Sequence, residues 1–324
     1  MSNPVRWGIL GAAKFAREHM GPAINAAKGA DLAALATSSP DKAAPFQAFA
    51  PRLRVHADYD ALLADPEIDA VYIPLPNHLH VDWTLKALAA GKPVLTEKPI
   101  ALQAADIDRI IAARDSTGLL AAEAFMIVHH PQWQLVRDWI AEGRIGELLH
   151  VRGAFSFDNS ADAANIRNKP DTGGGALRDI GVYVLGSVRF ATGQDPDQIS
   201  ARIRWDNGID GFAAIDAVFP GFTYASYVSM RMSPYQEMSF HGTEGTIRLS
   251  APFNANVFGE ARVELHTPTL QVETRRFPGV NHYIHQVEAF GHTIRDGAPY
   301  PCPLEFTRGT QEALDRIYAS PQNL

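Results

Sequence analysis

A single cysteine, Cys302, excludes any intrachain disulfide and suits a reducing compartment. Its place between Pro301 and Pro303 reads as passive. Positive charge is also short: 29 Lys and Arg against 36 Asp and Glu give 29 − 36 = −7. A broad nucleic-acid surface needs the opposite balance. No uncharged apolar run approaches the ~18 residues that suggest a membrane span. The opening Met1-Ser2-Asn3-Pro4-Val5-Arg6 lacks the basic-then-apolar order of a secretion signal. A cytoplasmic protein with no nucleic-acid or membrane partner is therefore expected. His-Glu-x-x-His, paired cysteines and Gly-x-Ser-x-Gly are missing too. His78 with His80 and His129 with His130 point apart, and His282 with His285, three apart on a helix, have no third ligand suggested nearby, so no metal is expected.

What remains is an ordinary globular composition, 46% hydrophobic and 20% charged over 324 residues, enough for about two domains. Residues 1–122 alternate short apolar runs with helical stretches. Strands are expected at Val5–Leu10, Asp31–Thr37, Arg54–His56, Asp69–Ile73, Pro93–Thr96 and Leu119–Glu123, with helices between them. That order implies an α/β domain with a doubly wound parallel sheet. From residue 123 the pattern changes. Period-two strands are expected from Glu147–Phe157 to Arg262–His266, separated by turns such as Asp206-Asn207-Gly208 and Pro220-Gly221. Residues 123–324 thus read as an α+β domain with an open-faced, mostly antiparallel sheet, closed by helices at Tyr283–Ile294 and Thr307–Ala319. A sheet covered on one side only is a natural subunit interface, so a homodimer or homotetramer through it is expected.

Three stretches carry chemistry. The first is the turn after strand one. A dinucleotide fingerprint needs small residues at the tight turn, at the pyrophosphate and at the helix–strand contact. Gly11, Ala13 and Ala16 stand there, so Gly11, Ala12, Ala13, Lys14 and Phe15 are candidate cofactor residues at a helix N-terminus. After strand two, Thr37, Ser38, Ser39 and Lys42 occur with no acid before Asp41. An acid would bond the ribose of NAD and repel a 2′-phosphate. NADP is therefore preferred, with NAD as the other possibility, although the serines also suit a helix cap. Leu75, Pro76, Asn77 and His80 follow strand four and face the same crevice.

The second stretch is Glu97-Lys98-Pro99 at the end of strand five, where ligands sit in open α/β sheets. The third is Gly173-Gly174-Gly175-Ala176-Leu177-Arg178-Asp179-Ile180-Gly181-Val182-Tyr183, preceded by Arg167. Asp179 and Tyr183 are four apart, one turn on a helical face. A phenol of pKa about 10 becomes a workable base when an ammonium such as Lys98 favours the phenolate. The bland readings are a core aromatic for Tyr183 and a helix N-cap for Asp179.

In this order the motifs, with Val128-His129-His130-Pro131-Gln132 and Gly143-Arg144-Ile145-Gly146-Glu147-Leu148, resemble the glucose–fructose oxidoreductase/inositol dehydrogenase (Gfo/Idh/MocA) family. Tyr183, where many members carry His, is similar to the subgroup of NADP-dependent sugar dehydrogenases and dimeric dihydrodiol dehydrogenases. The resemblance implies a Rossmann domain, a C-terminal open-faced sheet, a cis Lys98–Pro99 bond and a Lys98–Asp179–Tyr183 site. Glu97, Lys98 and Arg167 join the candidate cofactor residues. The implied activity is hydride transfer between a nicotinamide and a sugar or polyol; a dihydrodiol dehydrogenase and a non-catalytic NADP sensor are the alternatives.

Overall fold

The computed structural model describes residues 3–324; Met1 and Ser2, the first residues of the segment read for a leader, lie outside the described residues. The chain forms two compact units. One holds the residues up to His129 together with Asn281–Arg308, and the other holds His130–Val280 with Gly309–Leu324.

The first unit is built on a six-stranded parallel sheet: β1 Val5–Leu10, β2 Ala30–Ala36, β3 Arg54–His56, β4 Ala70–Ile73, β5 Val94–Thr96 and β6 Ala121–Glu123. Their spatial order is β3-β2-β1-β4-β5-β6, so the winding reverses between β1 and β4, the usual place for a ligand crevice. Every residue of β4, β5 and β6 is buried, as expected of strands covered on both faces. The connecting helices are α1 Gly21–Ala26, α2 Pro40–Gln47, α3 Tyr59–Leu63, α4 His80–Ala89 and α5 Ala104–Thr117. The expected single helix after Gly11 is interrupted: a π-helical turn, Ala16–Met20, precedes α1.

The second unit carries a nine-stranded sheet. Its strands are β7 Leu148–Asp158, β8 Gln198–Asp206, β9 Ile209–Phe219, β10 Phe222–Ser229, β11 Arg231–Gly242, β12 Thr246–Leu249, β13 Arg262–His266, β14 Val272–Arg276 and β15 Gln322–Asn323. They lie in the order β14-β13-β12-β11-β7-β10-β9-β8-β15. Only β7–β10 and β8–β15 pair in parallel. Helices α6 Pro131–Ala141 and α7 Val182–Thr192 cover one face. Trp133 stacks on Phe253 there, and Phe155 meets Tyr183. The opposite face presents Arg152, Asp216, Val218, Tyr235 and His241 to solvent.

Two helices follow. α8 His282–Asp296 is held by the Asn281 side chain, which accepts the amides of Tyr283 and Ile284 at 3.0 and 3.4 Å. It lies within the first unit, where Phe290 packs on Trp7 at 4.9 Å between ring centroids. α9 Leu304–Ala319 runs from the first unit into the second. The compact units thus divide the chain differently from the boundary expected after residue 122, because α8 fills the core of the parallel-sheet unit. β14 and β15 were not expected at all. Among the described residues no helix is long and apolar enough to cross a membrane.

Candidate active site

In the first unit Gly11 turns the chain at φ +100°, with its N–H on Ala36 O at 3.0 Å. A Cβ there would sit 2.9 Å from Leu75 Cδ2, so both the conformation and the space call for glycine. Helical turns begin at Lys14. The first-turn amides of a helix have no intrahelical acceptor, which suits a phosphate. Ala12 and Ala13 are half-buried and Lys14 is exposed at this end. The half-buried Phe15 packs its ring on His19 and Tyr283, at 5.0 and 5.6 Å.

At the end of β2, Thr37 is buried, Ser39 half-buried, and Ser38 and Lys42 exposed. Thr37 Oγ1 accepts the Ser39 amide at 3.3 Å. Ser39 stands at the N-cap position of α2, but its side chain makes no capping bond. The Ser39 hydroxyl is therefore not consumed by capping, and the sequence puts no acid before Asp41 at the strand end.

The Lys98–Pro99 peptide bond is cis, as the resemblance implies. Lys98 is half-buried on a turn whose neighbours are all anchored. Glu97 donates its amide to Ile73 O at 3.0 Å, and its Oε1 accepts the Tyr72 hydroxyl at 2.5 Å. Ile100 donates its amide to Glu123 Oε1 at 3.0 Å, and Thr307 donates to Glu123 Oε2 at 3.3 Å. Burial pushes the Glu123 carboxyl up to about 7. Beneath the strand end, the Thr84 and Thr96 hydroxyls share a hydrogen bond of 2.6 Å.

The expectation that His80 faces a cofactor needs correction. His80 is wholly buried, with Nδ1 2.8 Å from Pro99 O and Nε2 2.7 Å from Leu75 O. Both ring nitrogens are occupied by backbone, so the ring has none to offer a ligand. Asn77 opens the 3-10 turn Asn77–Leu79, with Pro76 at its N-cap position and no side-chain capping bond there.

In the second unit Arg167 Nε donates to Asp179 Oδ2 at 2.8 Å. The triple glycine makes this possible. Gly175 donates its amide to Arg167 O at 3.1 Å and sits at φ +125°, where a Cβ would run into the Asp210 carboxylate. Asp210 accepts the Leu177 amide at 2.5 Å and the Tyr318 hydroxyl at 2.9 Å, and burial raises its pKa to about 6. Leu177–Gly181 is a second π-helical turn leading into α7. Asp179 therefore lies inside a helical segment and not at its N-cap. Tyr183 is 6% exposed, with its ring 5.7 Å from both Phe155 and Phe253.

Sequence reasoning missed Tyr72, Glu123 and Asp210. Glu123 had a usable signal, an acid closing a buried strand just as Glu97 does. Asp210 had none, because its partners are distant in the chain.

Two family models match: the oxidoreductase family with an NAD-binding Rossmann fold over residues 5–125, and the GFO/IDH/MocA C-terminal domain over residues 133–248. The chain belongs to the GFO/IDH/MocA family of oxidoreductases. It is 39% identical to an uncharacterized oxidoreductase, ORF334, of Rhizobium meliloti, over 98% of this chain and 97% of that one. It is 31% identical to the dTDP-3,4-didehydro-2,6-dideoxy-alpha-D-glucose 3-reductase of Actinomadura kijaniata, over 91% and 89%. Among solved structures it is similar to KijD10, a 3-ketoreductase from Actinomadura kijaniata in complex with NADP and TDP-benzene. The TM-score is 0.89, with 28% identity and 99% of each chain covered.

Proposed function

We propose that this oxidoreductase uses NADP to move a hydride between the nicotinamide and a sugar or polyol, with Tyr183 as acid/base assisted by Lys98 and Asp179. The observation that carries the reading is the anchored, half-buried Lys98 at the carboxyl end of β5, in the same unit as a glycine-only turn after β1 and an acid-free end of β2. That KijD10 holds NADP supports the cofactor, and the named activity of the dTDP-sugar reductase supports the substrate class.

Gly11, Ala12, Ala13, Lys14 and Phe15 would hold the pyrophosphate side. Thr37, Ser38, Ser39 and Lys42 would meet the 2′-phosphate. Leu75, Pro76, Asn77, Glu97, Lys98 and Arg167 would line the nicotinamide end. When bound, NADP supplies or accepts the hydride. Tyr183 takes the hydroxyl proton in oxidation and returns it in reduction. Lys98 favours the phenolate, and Asp179, steadied by Arg167, orients a substrate hydroxyl.

The test is absorbance at 340 nm with each cofactor against a panel of sugars, keto sugars and diols. Tyr183→Phe should lower kcat by about 10²–10⁴ while NADP still binds. Full activity in that variant would end the assignment. Silence across the panel with tight NADP binding would favour a sensor. The solvent-facing side of the nine-stranded sheet, which mixes Arg152, Asp216 and Glu237 with Val218, Tyr227 and Tyr235, suits a second copy of the chain. Light scattering should then report a dimer or tetramer, and a monomer at micromolar concentration would contradict it.

A further inference from the structure

The turn that carries Lys98 is gripped by side chains from three elements. Tyr72 of β4 holds Glu97, Glu123 of β6 holds Ile100, and His80 of α4 holds Pro99. His80 also reaches a second loop, through Nε2 to Leu75 O. Leu75 opens the segment Leu75-Pro76-Asn77, and its side chain also touches the Gly11 turn. One buried ring thus joins the residue after Lys98 to the crevice side of β4.

The chemistry of the join is specific. A carbonyl oxygen only accepts, and a neutral imidazole has a single N–H to give. Both short approaches are hydrogen bonds only when the ring is an imidazolium; when it is neutral, one of them sets lone pair against lone pair. Burial opposes the cation and pushes the ring down to about 4, with Lys98 and His78 acting in the same direction. Two carbonyls act in the other direction. The neutral ring that burial favours therefore donates to one carbonyl and only packs against the other.

We propose that His80 is a positioning residue that locks the carbonyl following Lys98 to the turn starting at Leu75, so that the ammonium keeps its place when the cofactor segment is engaged. The proposal rests on reading Lys98 as a catalytic residue. Its two contacts can be tested separately. An Asn amide nitrogen stands where Nδ1 stands and keeps the Pro99 bond. A Gln amide nitrogen stands where Nε2 stands and keeps the Leu75 bond. Leu keeps neither.

The full-length protein and its His80→Asn, His80→Gln, His80→Leu and Lys98→Met variants are compared in three measurements. These are kcat and KM for the best substrate of the panel, NADPH affinity by fluorescence, and the rate of trinitrobenzenesulfonate labelling at Lys98 by peptide mass spectrometry. Labelling needs neither substrate nor cofactor. His80→Leu should lower kcat by up to about 10²-fold, the scale of a misplaced catalytic group, with substrate KM nearly unchanged. It should also change the rate of Lys98 labelling severalfold as the amine changes surroundings. Asn should recover most of both losses and Gln should not. A wild-type kcat and labelling rate in His80→Leu would overturn the proposal, as would Asn and Gln behaving alike. If the Leu variant does not fold, the Asn and Gln pair decides by itself. Full kcat in Lys98→Met would remove the catalytic reading of Lys98, a result separate from any seen at His80.

Discussion

Arg167 donates through Nε to the Asp179 carboxylate at 2.8 Å, across the glycine-rich stretch that precedes Tyr183. The carboxylate side chain is 12% exposed and the guanidinium 38%. Asp179 is thus the enclosed partner, oriented by an arginine that still reaches solvent. Removing Arg167 leaves a nearly buried carboxylate without that hydrogen bond. Hydrogen bonds to charged groups are worth about 1.5–3 kcal/mol. Arg167→Ala should therefore reduce kcat/KM by about 10–100-fold in steady-state assays. Arg167→Lys should recover little, because an ammonium lacks the planar fork.

Gly175 stands against Asp210 with a backbone that disfavours any side chain. Gly175→Ala should destabilise the protein by about 1–3 kcal/mol from backbone strain alone. Displacement of the carboxylate that receives the Leu177 amide should add to that loss. Urea unfolding followed by circular dichroism measures it, and an unchanged midpoint would contradict the geometry.

Ser38 is exposed at the end of β2, where an acid would select NAD. With the 2′-phosphate held as proposed, Ser38→Asp would set a negative charge beside it. At about 4 Å such a pair repels by roughly 1–4 kcal/mol. The ratio of kcat/KM for NADP to that for NAD should fall tenfold or more. A preference unmoved by the substitution would place the phosphate elsewhere.

Glu123 is buried, and burial raises its carboxyl from the usual 4.5 to about 7. Between those values the folded protein holds more of this proton than the unfolded chain does, so the slope of unfolding free energy with pH is negative. The contribution is most favourable below the unfolded pKa and is lost as pH rises through the folded one, by about 3 kcal/mol at most. Asp210, raised to about 6, acts in the same direction, so the comparison is made against a variant. Glu123→Gln keeps an acceptor for the Ile100 amide and carries no charge. Its melting temperature relative to wild type should rise from pH 5 to pH 8. A flat difference would show that Glu123 does not titrate in this range.

Much of the architecture was legible because it is written in neighbouring residues. The strands Val5–Leu10, Arg54–His56 and Arg262–His266 and the helix Ala104–Thr117 have the bounds their local patterns indicate. The family resemblance is legible for the same reason, since its motifs are short. What escaped has weak local signals. β14, Val272–Arg276, is almost wholly polar, and β15, Gln322–Asn323, is a strand only because it pairs with Arg202 and Ile203. The membership of α8 in the first unit depends on Phe290 meeting Trp7. No periodicity within α8 can name that partner.

The sequence by itself determined the alternation of strands and helices, the glycine turn after β1, the missing acid after β2 and the family. Each of these is a matter of residue type and spacing within a short window. Only the tertiary structure decided which groups brace the candidate site. His80 meets Pro99, Glu123 meets Ile100 and Asp210 meets Leu177 across 19, 23 and 33 residues. A buried polar side chain must find a partner wherever the fold presents one, and chain spacing carries no record of that choice.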